Sequence, residues 1–122
     1  MARILVIDDE ESIRALLRQI LEEAGHDVLD APDGIAGIAL YRENLIDLLI
    51  VDLVMPRKTG LDVIMELRRD FPDANIIALS GGGPKGNFDY LAASKVLGAQ
   101  RAFLKPFNRQ KLLDAIRELV PV

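Results

Sequence analysis

Three aspartates that directly follow hydrophobic runs are the residues best suited to chemistry. Asp8 and Asp9 follow the run from Ile4 to Ile7, and Asp52 follows the run from Leu48 to Val51. Carboxylates held close together repel, and burial without a counter-charge raises the pKa of at least one of them. A hard divalent cation removes this conflict, and Mg²⁺ prefers a few carboxylate oxygens, retained waters and a phosphate. Converging aspartates therefore predict a magnesium site.

Two other polar residues also follow hydrophobic runs. Ser80 comes after the run from Ile76 to Leu79, and Lys105 comes after the run from Ala102 to Leu104. A serine hydroxyl can donate to a phosphoryl oxygen, and a lysine ammonium can pair with the same group. Neither residue is informative alone. Together with Asp52, whose carboxylate can act as a covalent nucleophile, they predict a site for phosphoryl transfer.

The periodicity of the chain predicts the elements that position these residues. The four runs and a fifth, from Val28 to Ala31, are β-branched or leucine-rich and are typical of strands. The segments between and after them carry apolar residues at helical spacing. The helix boundaries are predicted from N-caps, glycines and prolines: N-caps at Asp33 and Asn108, a C-terminal stop at Gly25, and the end of the third helix at Phe71-Pro72.

The resulting order, strand then helix five times over, predicts an α/β fold with a doubly wound, five-stranded parallel sheet. Such a (βα)5 chain commonly takes the strand order 2-1-3-4-5, the flavodoxin-like arrangement, and binds ligands where strands one and three diverge. Asp8, Asp9 and Asp52 then share one crevice. The alternative is that Asp8 and Asp9 only favour the dipole of the first helix and Asp52 begins a turn before Pro56.

Bulk properties limit the class of protein. A length of 122 residues, half of them hydrophobic, predicts a single domain over residues 1–122. A net charge of -4 without a strongly basic window argues against direct nucleic-acid binding. The absence of cysteine excludes disulfides, thiolate metal sites and a cysteine nucleophile. The apolar runs are too short for a membrane span, and no secretory leader pattern occurs, so we expect a cytoplasmic location.

From Arg3 to Leu119 the sequence resembles the response-regulator receiver family of two-component signalling. The motifs that carry the resemblance are ILVIDDE with its acidic pair, LLIVDLVMP with Asp52, Gly60, IIALS ending at Ser80, and FLKPF with Lys105. The resemblance implies that Asp52 is the phosphoacceptor and that Ser80 and Lys105 contact the phosphoryl group. The same resemblance implies a cis bond between Lys105 and Pro106, which an X-Pro bond tolerates.

The resemblance also implies the cofactor and partners. Mg²⁺ would be bound by Asp9, Asp52 and the backbone carbonyl of Val54, with Asp8 helping mainly through water. The phosphodonor would be a histidine kinase or a His-containing phosphotransfer protein. A downstream protein partner would bind the face formed by the fourth helix, fifth strand and fifth helix. Tyr90 and Lys95 of the fourth helix have two alternative interpretations, as interface residues or as solvated surface residues.

The sequence departs from the family pattern at three places. Ala102 stands where an aromatic switch residue is common, and Phe103, which should face the opposite side of the strand, is predicted to be core. The run Gly81 to Gly86 predicts a mobile loop better than a phosphate-binding one. Val54 and Gly82 occupy positions that influence hydrolysis in the family, and neither is polar, which predicts slow self-dephosphorylation.

Other residues have structural interpretations. His26 is predicted to be a solvent-facing turn residue, and Met55 and Met65 are predicted to be packing residues.

Three alternatives accompany the signalling switch, which would not be an enzyme beyond assisting its own phosphorylation. A magnesium-dependent phosphohydrolase with an Asp nucleophile would carry a second acid where Val54 stands. A flavin-binding domain would need aromatic residues, and the chain has no Trp and two Tyr. The third alternative is that the sequence is a receiver excised from a longer DNA-binding regulator or hybrid kinase.

Overall fold

The computed structural model describes residues 1–81 and 89–120, in which strands and helices alternate. The strands are β1 (Arg3–Ile7), β2 (Asp27–Ala31), β3 (Leu48–Asp52), β4 (Ile76–Ser80) and β5 (Arg101–Leu104). The helices are α1 (Glu11–Glu23), α2 (Gly34–Glu43), α3 (Gly60–Asp70), α4 (Tyr90–Leu97) and α5 (Arg109–Leu119). Each predicted strand is present and is one residue longer than the hydrophobic run that predicted it.

The strands form a parallel sheet in the order β2-β1-β3-β4-β5, which confirms the predicted topology. The order reverses between β1 and β3, where Ile7 is paired with Val51. Asp8 follows Ile7 at the end of β1, and Asp52 follows Val51 in β3. The register of the two strands therefore brings these aspartates to the same level at the carboxyl edge of the sheet. β3 is buried along its whole length, as a central strand covered on both faces must be.

Side chains alternate across the sheet and build a core on each face. Leu5, Ile7, Leu49 and Val51 pack on the face covered by α2, α3 and α4, and Ile4, Val6, Leu48 and Ile50 pack on the face covered by α1 and α5. Ala102 belongs to the first face and Phe103 to the second. Phe103 is therefore a packing residue, as predicted, and does not occupy the side of the sheet that Ala102 leaves open.

The helix boundaries follow the predicted caps. The side chains of Asp33 and Asn108 accept hydrogen bonds from backbone N–H groups in the first turns of α2 and α5. Gly25 follows α1 with a φ of +94°, a conformation that favours glycine, and α3 ends at Asp70 with Phe71 as its C-cap. These short-range signals were sufficient because each cap depends on only a few neighbouring residues.

One side-chain prediction is wrong, and another is only partly confirmed. Met55 is buried as predicted, but Met65 is 53% exposed because the buried face of α3 is formed by Val63, Ile64 and Leu67. His26 lies in the turn before β2, as predicted, but it is half-buried, and its Nδ1 accepts a hydrogen bond from the N–H of Ala2 at 3.1 Å. The start of β1 thus obtains an acceptor for its backbone donor from the turn before β2.

Within residues 1–81 and 89–120, every helix is too short or too polar to cross a lipid bilayer.

Candidate functional site

The candidate site lies at the carboxyl edge of the sheet, where strand ends bring together the residues singled out in the sequence. Asp8 directly follows β1, Asp52 ends β3, Ser80 ends β4, and Lys105 directly follows β5. Asp8, Asp52 and Ser80 are almost fully buried, with exposures of 1%, 4% and 3%, whereas Asp9 is exposed. Polar groups buried among apolar strands require partners, so each must be held by its neighbours.

Asp8, Asp9 and Asp52 form a compact cluster of carboxylates. One oxygen atom of each side chain lies within 4.8 Å of the corresponding atoms of the other two. Hard oxygen donors in this number, with one member open to water, fit the demands of Mg²⁺, which accepts few protein carboxylates and retains waters. The donor set is therefore able to hold this ion.

Lys105 supplies the positive charge of the cluster. Its Nζ donates a hydrogen bond to Asp8 Oδ2 at 2.8 Å and lies 3.6 Å from Asp52 Oδ1. Burial lowers the pKa of Lys105, but the hydrogen bond to Asp8 and the charges of Asp52, Asp8 and Glu10 raise it more, so the net pKa lies above the ordinary value. Lys105 is consequently a cation at neutral pH.

Asp52 is the carboxylate whose proton affinity the site changes most clearly. Burial, followed by the charge of Asp8, raises the pKa of Asp52, and the net value is about 6. The ammonium of Lys105 and the N–H of Val54 offset part of this rise. This confirms the expectation that burying the cluster raises at least one pKa. Asp52 is still mostly ionised at neutral pH, where its oxygens can act as nucleophiles.

The loop after β1 is organised around Asp8. The N–H of Asp8 donates to the carbonyl of Ala31, and Asp8 Oδ1 accepts the N–H of Glu10 at 2.9 Å. The N-cap of α1 is Glu10, and its side chain makes no capping hydrogen bond. The alternative in which Asp8 and Asp9 serve only to begin α1 is therefore not supported, because Asp8 directs its carboxylate to Lys105 and the loop.

The end of β3 is held against the start of α3 by Gly60. The N–H of Gly60 donates to the carbonyl of Leu53 at 3.1 Å. A Cβ at this position would lie 2.1 Å from the carbonyl oxygen of Asp52 and 2.6 Å from the Cα of Leu53. Glycine is required here because the backbones approach more closely than any side chain permits.

A cavity of about 250 Å³ opens beside the cluster, and its lining is formed by Asp9, Glu10, Asp52, Val54, Gly81 and Lys105. Glu10 was not singled out in the sequence, although its Oε1 lies 3.6 Å from Lys105 Nζ. The signal that could have identified it is its position in the continuous acidic run after β1. The loop predicted to be mobile runs from Gly81 to Gly86, and all of it except Gly81, including Gly82, lies outside the described residues.

Fold and site together define a flavodoxin-like α/β domain with an acidic pocket and a lysine at the switch point of its sheet. The family model described as the response regulator receiver domain matches residues 4–117. The chain belongs to this family, whose members act as phosphoacceptor switches in two-component signalling.

Individual relatives agree in sequence and structure. The transcriptional regulatory protein CpxR of Klebsiella pneumoniae is 35% identical over 120 residues, which cover 98% of this chain and 50% of CpxR. The chemotaxis protein CheY of Halobacterium salinarum is 30% identical over 118 residues, which cover 97% of this chain and 96% of CheY. The chain thus spans half the length of the first relative and nearly all of the second.

Two solved structures superpose over almost the whole chain. A response regulator receiver domain protein from Clostridium thermocellum has a TM-score of 0.90 at 34% identity, with coverage of 98% of this chain and 94% of that one. The response regulator TrrA from Thermotoga maritima, in complex with Mg²⁺ and BeF, has a TM-score of 0.84 at 34% identity, with coverage of 98% and 99%.

Proposed function

We propose that residues 1–122 act as a single receiver domain and that Asp52 is the residue that accepts the phosphoryl group. The observation that carries the assignment is the position of Asp52, buried within the carboxylate cluster, 3.6 Å from the Lys105 ammonium and in the lining of a cavity. Asp8 is also buried, but it is engaged by Lys105 and Glu10. Asp9 is exposed and better suited to binding an ion.

The proposed reaction is transfer from a phosphohistidine of a histidine kinase or His-containing phosphotransfer protein, most simply in the cytoplasm. A carboxylate oxygen of Asp52 attacks phosphorus, the P–N bond breaks with its electron pair returning to the imidazole, and an acyl phosphate remains on Asp52. Lys105 pairs with the phosphoryl oxygens, and the Ser80 hydroxyl orients them from the end of β4. Lys105 contacts Asp8 and lies 3.6 Å from Asp52 Oδ1, so its ammonium is beside the proposed acceptor.

Asp9, Asp52 and the backbone carbonyl of Val54 would hold Mg²⁺, with Asp8 assisting through water. When bound, the ion neutralises charge on the transferring group and on the three carboxylates. TrrA, a relative with the same fold, was solved with Mg²⁺ and BeF, which supports this cofactor.

The acceptor assignment is tested by phosphotransfer with Asp52→Asn. Candidate kinases are loaded with labelled ATP, and transfer to the wild type, to Asp52→Asn and to Asp73→Asn is followed over time with Mg²⁺. We expect transfer to the wild type and Asp73→Asn, because Asp73 is exposed and remote from the cluster, and none to Asp52→Asn. Labelling of Asp52→Asn at the wild-type rate would refute the assignment.

We further propose that the acyl phosphate is long-lived. Val54 lines the cavity beside Asp52 and is 47% exposed, but its side chain has no group that could hydrogen-bond an attacking water. The protein is loaded from a small phosphodonor, and the acyl phosphate is followed after the donor is removed. A lifetime of a few seconds without a phosphatase would contradict this proposal, whereas Val54→Glu is expected to shorten the lifetime.

The proposed output is a protein partner that binds the face of α4, β5 and α5 when Asp52 is phosphorylated. This face carries two exposed apolar side chains, Val96 at 85% and Leu104 at 54% exposure, which supports a contact surface. The chain spans half the length of CpxR, so the proposed output is either a separate protein partner or a further domain of the same protein.

A phosphohydrolase with an Asp nucleophile is less well supported, because Val54 stands where such an enzyme would carry its second acid. Multiple turnovers of a small phosphodonor would identify this activity.

A further inference from the structure

Arg14 of α1 contacts the backbone of the loop that carries the aspartates. Its Nη1 donates a hydrogen bond of 2.8 Å to the carbonyl oxygen of Asp8, and its side chain is only 17% exposed. A charged donor bound to a carbonyl in a partly buried position makes a stronger bond than a neutral one. Neither the phosphoryl-transfer chemistry nor the composition of the acidic cluster accounts for an arginine at this place.

The contact fixes the geometry of both aspartates. The N–H of Asp8 is bound by the Ala31 carbonyl of β2, so the backbone of Asp8 is held on its N–H side by the sheet and on its C=O side by Arg14. The carbonyl of Asp8 and the N–H of Asp9 belong to one planar peptide group. An arginine that fixes this carbonyl therefore also restricts the backbone from which the Asp9 side chain projects.

Arg14 is itself oriented by β2. Its Nε lies 3.8 Å from Asp30 Oδ1. The other carboxylate oxygen of Asp30 accepts hydrogen bonds from Arg18, from Nε at 3.2 Å and from Nη2 at 3.0 Å. Asp30 thus accepts both hydrogen bonds of Arg18 with one oxygen and contacts Arg14 with the other only at the longer distance of 3.8 Å.

We infer that Arg14 is a positioning residue for magnesium: by holding the Asp8–Asp9 peptide group it presets the carboxylates for the ion, without contacting the ion or the phosphoryl group. The inference rests on the proposed function, in which these aspartates bind Mg²⁺. Residues that orient metal ligands in this way typically change metal affinity by about 10- to 100-fold when they are removed.

Isothermal titration with MgCl2 tests the inference directly, on the wild type, Arg14→Met, Arg14→Lys and Arg18→Met. Arg18→Met is the matched control, because Arg18 binds the same Asp30, together with Glu22 and the Val28 carbonyl. We expect Arg14→Met to weaken Mg²⁺ binding about tenfold and Arg18→Met to change it less than about twofold. Arg14→Lys keeps the charge but has one donor group, so its affinity should fall between those of the wild type and Arg14→Met.

A second measurement separates positioning from general damage. The rate of phosphorylation from a small phosphodonor is measured as a function of Mg²⁺ concentration. For Arg14→Met the half-saturating concentration should rise about tenfold, while the rate at saturating Mg²⁺ stays within about twofold of the wild type. Thermal unfolding confirms that each variant is folded, and Arg14→Lys decides the outcome if Arg14→Met does not fold.

Three results would overturn the inference: wild-type Mg²⁺ affinity in Arg14→Met, an equal loss in Arg18→Met, or a rate that remains low at saturating Mg²⁺. Absence of Mg²⁺ binding by the wild type itself is a different failure. That result would reject the proposed metal site rather than the role of Arg14 alone.

Discussion

At Asp52, burial and the charge of Asp8 act in the same direction, and both disfavour the ionised form. Lys105 offsets only part of this cost because its hydrogen bond is made to Asp8 and its distance to Asp52 is longer. The residue that we assign as the nucleophile is therefore held in a charged state that the fold alone does not favour. Such a state is expected at a site whose charge is balanced only when ligands are bound.

Replacing Asp52 by Asn should stabilise the protein in the absence of Mg²⁺. The substitution removes a charge that is unfavourable in the folded state at pH 7, and we expect the free energy of unfolding to rise by about 1 to 2 kcal/mol. Urea denaturation of the two proteins measures the difference. Asp73→Asn, at an exposed position, should change the stability by less than about 0.5 kcal/mol, and a loss of stability in Asp52→Asn would contradict the electrostatic account.

His26 should make stability depend on pH near neutrality. Burial and the charge of the N-terminal amine lower the pKa of His26 below its ordinary value of 6.5. The unfolded chain therefore takes up a proton before the folded one, so the stabilisation is complete above pH 6.5 and decreases as the pH falls below it. Urea denaturation at pH 8 and 5.5 should show a larger loss for the wild type than for His26→Asn, and equal losses would contradict the prediction.

At the scale of elements, the loop from β3 to α3 combines a left-handed backbone conformation with a capped helix start close to Asp52. Arg57 has a φ of +66°, in the left-handed region that side chains other than glycine rarely adopt. Thr59 then begins α3 with a capping box that includes Asp62. The loop is therefore fixed at its helical end and strained just before it, and Gly60 closes it against the backbone of Asp52.

Substitutions of Arg57 should change stability in opposite directions. Arg57→Gly removes the cost of the left-handed conformation, and after the entropic cost of glycine we expect a gain of up to about 1 kcal/mol. Arg57→Val should lose more than about 1 kcal/mol, because a β-branched residue is poorly tolerated at positive φ. Urea denaturation compares both variants with the wild type. A valine variant as stable as the glycine variant would contradict the positive φ at residue 57.

Gly60→Ala should damage both stability and the site. The added Cβ overlaps the Asp52 carbonyl and Leu53, so the backbone must move, at a cost of about 1 to 3 kcal/mol. Because the displaced backbone belongs to the proposed acceptor, we expect Mg²⁺-dependent phosphorylation to slow even in the fraction that is folded. Normal stability together with normal phosphorylation would show that the close approach is not required.

At the scale of the whole molecule, the site joins parts of the chain that are far apart in sequence. The ends of four of the strands meet at the carboxylates and Lys105, and the bond between Lys105 and Asp8 joins residues separated by 97 positions. The cis bond between Lys105 and Pro106, implied by the resemblance, is present in the structure. A ligand bound at this edge therefore stabilises contacts that involve both halves of the sheet.

Mg²⁺ should consequently stabilise the entire domain. A ligand that binds only the folded state at ten times its dissociation constant adds about 1.4 kcal/mol to the free energy of unfolding. Thermal unfolding with Mg²⁺, and again after addition of a chelator, measures the effect and its reversal. Asp9→Asn should reduce the stabilisation, whereas Asp73→Asn should retain it, and a Mg²⁺ effect that is equal in all three proteins would show that the ion binds elsewhere.

The sequence by itself determined the fold and the edge of the sheet at which the candidate site residues lie. Hydrophobic runs, caps such as Asp33 and Asn108, and strict alternation of elements are short-range signals, and parallel topology rules then place Asp8, Asp52, Ser80 and Lys105 at one edge. Phe103 was predicted correctly for the same reason, because alternation along a strand is a local property.

Only the tertiary structure decided which partners these residues have. Met65 is exposed and His26 is partly covered because the positions of neighbouring elements, not the local pattern, determine which part of a helix or turn is covered. The contact between Arg14 and the Asp8 carbonyl, and the choice of Asp8 as the hydrogen-bond partner of Lys105, depend on atomic distances across packed elements. Periodicity predicts which side of an element is buried, but only packing determines which donor meets which acceptor.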